Sequence, residues 1–281
     1  MKNRRIGIVG YGYVGKSMVD FFKSHFKVSV YDPAYDYGDN DGFEFTSRDQ
    51  INKCDLVVVC VPTPQAPNGN CDISIVEYTF GWLNVPLVIL KSTVDIGTTD
   101  YLKKKTGLRV VFSPEFVGES SYWTPYKFHN EIKETPFFIF GGESQDTSEV
   151  INFYTAIAGP TKTYRQVSSQ EAEAIKYLIN TFYALKITFC YEMNEMFETL
   201  NLDYNVIRDL WMLDPRINPM HTLVFSENDA PFGGKCFPKD VSALVKFAKR
   251  NGYNAKLLEE ILESNERIRK RRSKRSSMRG K

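Results

Sequence analysis

A chain of 281 residues, 42% hydrophobic and 25% charged, has the length and composition for one large or two ordinary globular domains, each able to bury a core. A membrane span is excluded, because the longest strongly apolar run, Leu56–Val61, falls far short of the about 20 residues a span needs. The net charge of +2 conceals a division: residues 267–281 carry nine Lys or Arg and no acid, leaving 27 basic against 34 acidic residues elsewhere.

That basic run reads as a solvated, disordered tail. No aromatic residue interleaves its charges, so nucleic acid is not an expected partner. The opening Met1-Lys2-Asn3-Arg4-Arg5 is followed by an apolar run that glycines cut at once, the wrong pattern for a secretory leader. The cysteines, Cys54, Cys60, Cys71, Cys190 and Cys236, are scattered and odd in number, with no CxxC pair and no zinc-type cluster. A reduced, cytoplasmic protein without a metal site is expected.

In chain order, Ile6–Val9, Val28–Tyr31, Leu56–Val61, Leu87–Leu90, Val110–Phe112 and Phe137–Phe140 read as buried strands. Helical patterns lie between several of them, as in Val14–Phe22 and Thr98–Lys105. Continuous apolar strands alternating with helices predict an α/β domain, a doubly wound parallel sheet covered on both faces, over residues 1–168. From Ser168 or Ser169 to Leu200 there is no Gly or Pro, and Ala174, Ile175, Leu178, Ile179, Phe182, Leu185 and Phe189 recur at helical spacing. A Ser-Ser-Gln-Glu start fits a helix N-cap. One long helix of this kind predicts a domain connector or a subunit interface. A helical region follows, broken by a Pro- and Gly-bearing loop from Asp214 to Asp240, so residues 169–266 read as an all-helical domain and 267–281 as the tail.

Two segments carry chemistry. Gly10-Tyr11-Gly12-Tyr13-Val14-Gly15 follows the first strand and opens a helix. Gly10 permits a tight turn, Gly12 lets a pyrophosphate approach the backbone, and Gly15 allows close helix–strand packing; the helix N-terminus then offers its N–H groups to phosphate. Asp32, at the end of the next strand, suits the ribose hydroxyls of NAD and would repel the extra phosphate of NADP. Asp36, further along an acidic loop, is the weaker ribose candidate. This is the pattern of a Rossmann-like domain. The turns after later strands, Val61-Pro62-Thr63-Pro64, Lys91-Ser92-Thr93-Val94 and Phe112-Ser113-Pro114-Glu115, should line the cofactor and its reaction partner. The second segment is Phe232-Gly233-Gly234-Lys235-Cys236-Phe237-Pro238-Lys239-Asp240. Two glycines expose the backbone before a cysteine, and a cation beside a thiol favours the nucleophilic thiolate. On the long helix, Lys176 and Asn180 lie four apart and share a face.

With these residues in view, the sequence resembles the UDP-glucose/GDP-mannose dehydrogenase family. The matching pieces run in order along nearly all of the chain: GYGYVG (10–15), CVPTP (60–64), KSTV (91–94), SPEFVGES (113–120), EAEAIKYLINTFYALKITFCYEMNE (171–195), DPRI (214–217), FGGKCFPKD (232–240) and LLEEILESNE (257–266). The resemblance implies an NAD-dependent four-electron oxidation of a sugar-nucleotide primary alcohol, UDP-glucose to UDP-glucuronate in the first instance. It makes Cys236 the nucleophile, has Asp240 and Lys176 with Asn180 hold a water and handle the alcohol proton, and has Glu115 help hydrolyse a thioester. Thr93 and Glu119 fall against the nicotinamide end of a cofactor whose other contacts are Gly10, Gly12, Tyr13, Val14, Gly15, Asp32, Val61, Pro62 and Thr63. Glu115, Phe116, Lys176, Asn180, Phe232 and Gly233 hold the sugar nucleotide, and Arg216 matches an arginine that reaches the substrate across a dimer interface. A homodimer through the long helix is thereby implied.

Two departures from the family stand out. The family continues with a third, nucleotide-gripping domain, and this sequence ends where that domain would begin, so the basic tail is a candidate to supply phosphate contacts. The loop from Arg216 to Cys236 is a few residues longer than the family's spacing. Two other readings stay open: a two-electron, NAD-dependent β-hydroxyacid-type dehydrogenase, and a non-catalytic shortened homologue acting as a binding partner.

Overall fold

A computed structural model describes residues 4–117, 131–224, 231–233 and 236–279, with side chains described through Lys274. The chain divides into two compact units, residues 1–64 with 72–176 and residues 65–71 with 177–281. The division falls eight residues into the long helix, after Lys176, and not before it at residue 168.

The first unit is a sheet of nine strands among the described residues, in the order β3-β4-β2-β1-β5-β6-β7-β8-β9. These are β1 (Arg5–Val9), β2 (Lys27–Tyr31), β3 (Gly38–Asn40), β4 (Phe43–Phe45), β5 (Leu56–Val59), β6 (Val88–Leu90), β7 (Val110–Phe112), β8 (Phe137–Gly141) and β9 (Thr163–Val167). Between them lie α1 (Tyr13–Phe22), α2 (Arg48–Ile51), α3 (Ser74–Trp82), α4 (Thr98–Thr106) and α5 (Ser144–Ala158). The side-chain period of two sorts the strand residues between two cores. Ile6, Ile8, Val28, Val30, Leu56 and Val58 join the core built with α1 and α5. Val9, Val57, Val59, Val88 and Leu90 join the core built with α3 and α4. Burial on both faces is what continuous apolar strands require.

The sheet departs from the expected all-parallel arrangement at two places. β3 pairs antiparallel with β4 at one edge, and β8 runs antiparallel to β7 through the pair Phe112↔Gly141. β8 and β9 are parallel to each other, with Phe137 opposite Thr163. β3 and β9 escape the apolar pattern because they are mostly exposed and polar, as edge strands can be. β5 stops at Val59, two residues before the apolar run ends, where Pro62 and Pro64 lead the chain out of the ladder.

The long helix, α6, spans Ser169–Thr199. Its start is a capping box: the Glu171 carboxylate accepts from Ser168 N–H at 2.8 Å and from the Ser168 hydroxyl at 2.8 Å, and Ser168 Oγ accepts from Glu171 N–H at 3.2 Å. In the second unit its remainder is joined by α7 (Tyr204–Trp211), α8 (Phe237–Arg250) and α9 (Lys256–Arg279). Among the described residues, Ala184, Phe232, Val241 and Ile261 form one buried apolar cluster there, and Cys190, Tyr191, Tyr204, Ala243 and Ile268 are buried as well. The 65–71 segment belongs to this unit because Gln65 donates to Ser242 Oγ on α8 at 2.8 Å, and that hydroxyl donates to Gly69 O at 3.2 Å.

The tail, read as disordered from its charge, instead continues α9 to Arg279. Lys and Arg are good helix formers, and acids on α6 neutralise part of the charge. Arg271 reaches Glu195 at 3.0 Å, Arg267 reaches Glu192 at 3.5 Å, and the buried Arg272 guanidinium lies over Tyr191 at 4.6 Å. No helix among the described residues is long and apolar enough to cross a membrane.

Candidate functional site

The chain runs from β1 outward through β2, then returns to β5 on the other side of β1. Such a reversal leaves a crevice beyond the carboxyl ends of the two central strands, where dinucleotides bind. Gly10 and Cys60 stand at those two ends. Gly10 has φ +92°, and a Cβ there would sit 2.7 Å from Cys60 O. A Cβ on Gly15 would sit 2.0 Å from Gly10 O, so α1 packs against its own entry turn. Around the corresponding position of Gly12 there is nothing within 4 Å. Gly12 is the N-cap of the ten-residue α1, and no side chain caps that helix.

Asp32, at the end of β2, accepts from Tyr11 N–H at 2.7 Å and from Ala34 N–H at 2.9 Å, one bond on each oxygen. A carboxylate has about four lone-pair sites, so it retains acceptors for a ribose diol while tying the glycine loop to β2. Uncapped helix amides, an open glycine face and a neighbouring carboxylate fit a dinucleotide with pyrophosphate at the helix end. The adjoining turns lie along the same sheet edge: Ser92 Oγ donates to Val61 O at 2.7 Å, which ties the Val61-Pro62-Thr63 turn to the one bearing Thr93. Val61 and Thr63 are buried, Thr93 is half-buried and Pro62 is exposed.

Beyond them stands a buried ion pair. Lys91, directly after β6, holds Glu115 Oε2 at 3.1 Å, with side-chain exposures of 2% and 10%. Glu115 Oε1 accepts from Phe116 N–H at 2.8 Å and Val117 N–H at 2.9 Å. Burial alone would push Glu115 up, but the Lys91 ammonium and these two amides outweigh it and hold the carboxyl below the usual range. Burial likewise opposes the charged form of Lys91, and Glu115 outweighs it and raises the ammonium. Burial pushes the nearby Cys60 thiol up to about 12, which suits a packed, unreactive cysteine. Lys176, on the first part of α6, donates to the backbone carbonyl of Glu115 at 2.5 Å and lies 5.6 Å over the Phe116 ring.

In the second unit Cys236 is exposed and forms the N-cap of α8, with Phe237 and Pro238 opening the helix. Its carbonyl accepts the first helical bond, from Asp240 N–H at 2.9 Å. Asp240 is 1% exposed and bridges two donors: Asn180 Nδ2 at 2.5 Å and Lys239 Nζ at 2.6 Å. Burial opposes the Lys239 charge, but Asp240 beside it raises the ammonium, with smaller contributions from Cys71 and Cys236. Phe232 is buried, and its N–H donates to Asn265 Oδ1 on α9 at 3.0 Å. Arg216 is turned onto Asp214, at 2.6 Å, with its side chain 86% exposed. Glu119, expected at the nicotinamide end, lies outside the described residues. No group of three or more His, Cys, Asp or Glu that could hold a metal occurs among the described residues.

Lys91 was not singled out from sequence. The signal was present, because a lysine directly after an all-apolar strand must have a partner when buried. It was eclipsed by Thr93, two residues away.

Residues 34–157 match the NAD-binding domain of the UDP-glucose/GDP-mannose dehydrogenase family, starting just past the glycine loop and Asp32. Residues 170–267 match that family's central domain. Among curated relatives, UDP-glucose 6-dehydrogenase TuaD of Bacillus subtilis is 28% identical over 306 residues, covering 95% of this chain and 64% of its own length. The chain thus spans under two thirds of that relative. Among solved structures, a UDP-glucose dehydrogenase from Pyrobaculum islandicum shares the fold with a TM-score of 0.78 at 24% identity, covering 94% of this chain and 68% of that one. The 3-hydroxyisobutyrate dehydrogenase of Mycobacterium tuberculosis shares it with a TM-score of 0.64 at 16% identity, covering 95% and 94%. Fold likeness alone therefore does not separate the two kinds of dehydrogenase, but the two domain matches do. With the family's NAD-binding and central domains matched in order over most of its length, the chain belongs to the UDP-glucose/GDP-mannose dehydrogenase family.

Proposed function

We propose that the chain oxidises the primary alcohol of a sugar nucleotide to the carboxylate, UDP-glucose to UDP-glucuronate in the first instance, through a covalent adduct on Cys236. The observation that carries this reading is the placement of Cys236 at the N-cap of α8, one turn before an Asp240 held between Asn180 and Lys239. A helix N-terminus and a nearby ammonium are the surroundings in which a cysteine serves as a nucleophile. NAD, when bound, accepts the hydride in each of two successive oxidations. Between them the Cys236 thiolate adds to the aldehyde, giving a thiohemiacetal that the second oxidation converts to a thioester. Water cleaves the thioester, so each alcohol consumes two NAD and one water and releases a carboxylate, two NADH and three protons. Asp240 and Lys176, with Asn180, hold a water and take the alcohol proton, and Glu115 helps to hydrolyse the thioester. Lys176 steadies the developing alkoxide as a cation, Phe116, Phe232 and Gly233 enclose the sugar nucleotide, and Gly10 to Gly15 with Asp32 seat the dinucleotide.

The partner in solution is a second copy of the chain, joined through the apolar stripe of α6. Leu178, Phe182 and Phe189 stand on that stripe with 62%, 56% and 48% exposure. The chemistry needs Cys236 as a thiol and so suits a reducing compartment such as the cytoplasm.

The deciding measurement is NADH formed per UDP-glucose consumed, for wild type and Cys236→Ala. Two NADH per sugar, with turnover falling by about 10⁴-fold in the variant, is expected. One NADH per substrate, unaffected by Cys236→Ala, would instead identify a two-electron dehydrogenase. NAD binding with no turnover on any sugar nucleotide would leave a binding protein.

A further inference from the structure

A second cysteine stands beside the head of α8. Segment 65–71 belongs to the second unit and lies along one face of that helix. Gln65 Nε2 donates to Ser242 Oγ at 2.8 Å, Ser242 Oγ donates to Gly69 O at 3.2 Å, and a Cβ on Gly69 would stand 3.0 Å from Lys246 Cε. The segment folds back on itself: Ala66 N–H donates to Asn70 O at 2.9 Å, and Gln65 and Cys71 pair as an antiparallel bridge. Cys71 is thereby returned to the level of Gln65, beside α8. Cys236, Lys239, Ser242 and Lys246 recur at helical spacing and share the face on which the segment lies. The Lys239 ammonium marks where the two thiols meet, since after Asp240 it is Cys71, then Cys236, that favours its charge.

The remaining cysteines are placed differently. Burial pushes the Cys54 thiol up to about 11 and the Cys60 thiol up to about 12, and both lie in the first unit. Burial raises Cys190 as well. Cys236 is exposed, at a helix N-terminus and near an ammonium, which is the setting in which a thiolate reacts with a peroxide. Cys71 is 8% exposed, so a peroxide in solution meets Cys236 first.

We propose that Cys71 is the resolving partner of Cys236, and that the two close a reversible disulfide when the chain meets a peroxide. The Cys236 sulfur attacks one peroxide oxygen, the O–O bond breaks, and water leaves, so that Cys236 becomes a sulfenic acid. The Cys71 sulfur then attacks Cys236, the S–O bond breaks, and a second water leaves with the Cys71 proton. Two thiols thus give two electrons and two protons to one hydrogen peroxide, which becomes two waters. A dithiol reductant reverses the closure by exchange and is itself oxidised to a disulfide. Closure ties up the nucleophile and spares it from irreversible oxidation to the sulfinic acid. The effect on turnover rests on the reading of Cys236 as the nucleophile, but the pairing is a property of this chain and is measurable without turnover. Reduced Cys71 takes no part in the oxidation.

The test treats the reduced full chain and Cys71→Ser with excess hydrogen peroxide. It follows NADH production and maps every cysteine by non-reducing peptide mass spectrometry. Before treatment the two proteins should turn over alike. Afterwards the wild type should carry a Cys71–Cys236 linked peptide, with Cys54, Cys60 and Cys190 still reduced, and should regain nearly all its activity in dithiothreitol. Cys71→Ser should reach the sulfinic acid at Cys236 and regain less than about a tenth. An inactivated wild type without the linked peptide overturns the pairing, as does a Cys71→Ser protein that dithiothreitol restores fully. If the serine variant does not fold, Cys71→Ala takes its place, and the wild-type peptide map decides the pairing with no variant at all. A linked wild type that still produces NADH would uphold the pair and sink Cys236 as the nucleophile. In a chain without NADH production from the start, the proposed oxidation fails and the linked peptide alone decides the pair.

Discussion

The two units solve the problem of burial differently. The first closes both faces of its sheet with its own helices, so that nearly every apolar strand residue lies in one of two large cores. The second buries its apolar residues in smaller groups along its helices, Cys190, Tyr191, Tyr204, Val241 and Ile268 among them, and leaves Leu178, Phe182, Phe189, Leu210 and Leu213 exposed on or beside its helices. Scattered exposed apolar residues are ordinary, but several on one helix at spacings of four and seven form a stripe. The chemistry divides along the same line. The first unit presents mostly backbone: an open glycine, uncapped helix amides, and carbonyls at strand ends. The second presents side chains, Cys236, Asp240, Asn180 and Lys239, held by one another. A self-sufficient scaffold can offer its backbone as a site, whereas reactive side chains need a local network to orient them.

The sharpest way to break that contrast lies within one motif of the first unit. Gly15→Ala drives a Cβ to 2.0 Å from a backbone oxygen that cannot yield, so stability should fall by about 3 kcal/mol and NAD binding should be lost with it. Gly12→Ala meets nothing within 4 Å, so its urea midpoint should match wild type while NAD affinity falls, because the methyl occupies the space a pyrophosphate would take. Paired denaturation and NAD titration separate the two. If Gly12→Ala bound NAD like wild type, the pyrophosphate would have to sit elsewhere.

How much of this was legible beforehand follows the same division. The glycine loop, Asp32 and the long helix declare themselves, because backbone needs are written as Gly, Pro and apolar period, and α6 lies within a residue of its expected bounds. The antiparallel β8 was not legible, since a buried strand reads alike in either direction. The helical continuation through residue 279 was masked by charge repulsion that acids more than 70 residues earlier relieve. The Lys91–Glu115 pair was hidden for a related reason. Its members are 24 residues apart and become partners only when β6 and β7 lie side by side.

In the second unit the corresponding test is Phe182→Glu. A charge in the middle of the α6 stripe should weaken a dimer by about 2–4 kcal/mol, thirtyfold to a thousandfold in Kd, without unfolding an exposed position. Sedimentation velocity at micromolar concentration reads this directly. A wild type that sediments as a monomer would remove the stripe from any interface.

A smaller effect concerns how α6 is anchored in the first unit. Glu173, fully buried, accepts from Gly97 N–H, Thr99 N–H and Thr99 Oγ at the start of α4. Burial pushes its carboxyl up to about 7, against the pull of those donors. A carboxyl raised on folding contributes stability in full below its ordinary pKa, and that contribution fades as pH climbs through the folded value. The wild type should therefore lose about 2 kcal/mol between pH 5 and pH 8 that Glu173→Gln does not lose. Parallel slopes for the two proteins in urea denaturation would show that Glu173 stays ionised on its three donors.

The smallest expected effect tests whether the basic helix end is structural or is kept for a ligand. Arg271 is largely exposed, although the side chain of its partner Glu195 is only 11% exposed, and solvent screening holds such a pair to about 1 kcal/mol, so Arg271→Ala should move the melting temperature little. Arg272 differs, because its guanidinium is buried against Tyr191, and Arg272→Ala should cost more through lost packing. If removing residues 267–281 leaves KM for the sugar nucleotide unchanged, the cations of α9 serve α6 alone. A rise in KM that Arg271→Ala does not reproduce would assign phosphate contact to cations that have no acidic partner on α6. Arg269 would then be the first to examine, since its guanidinium lies 3.6 Å from the Cβ position of Gly233, in the loop that leads to Cys236.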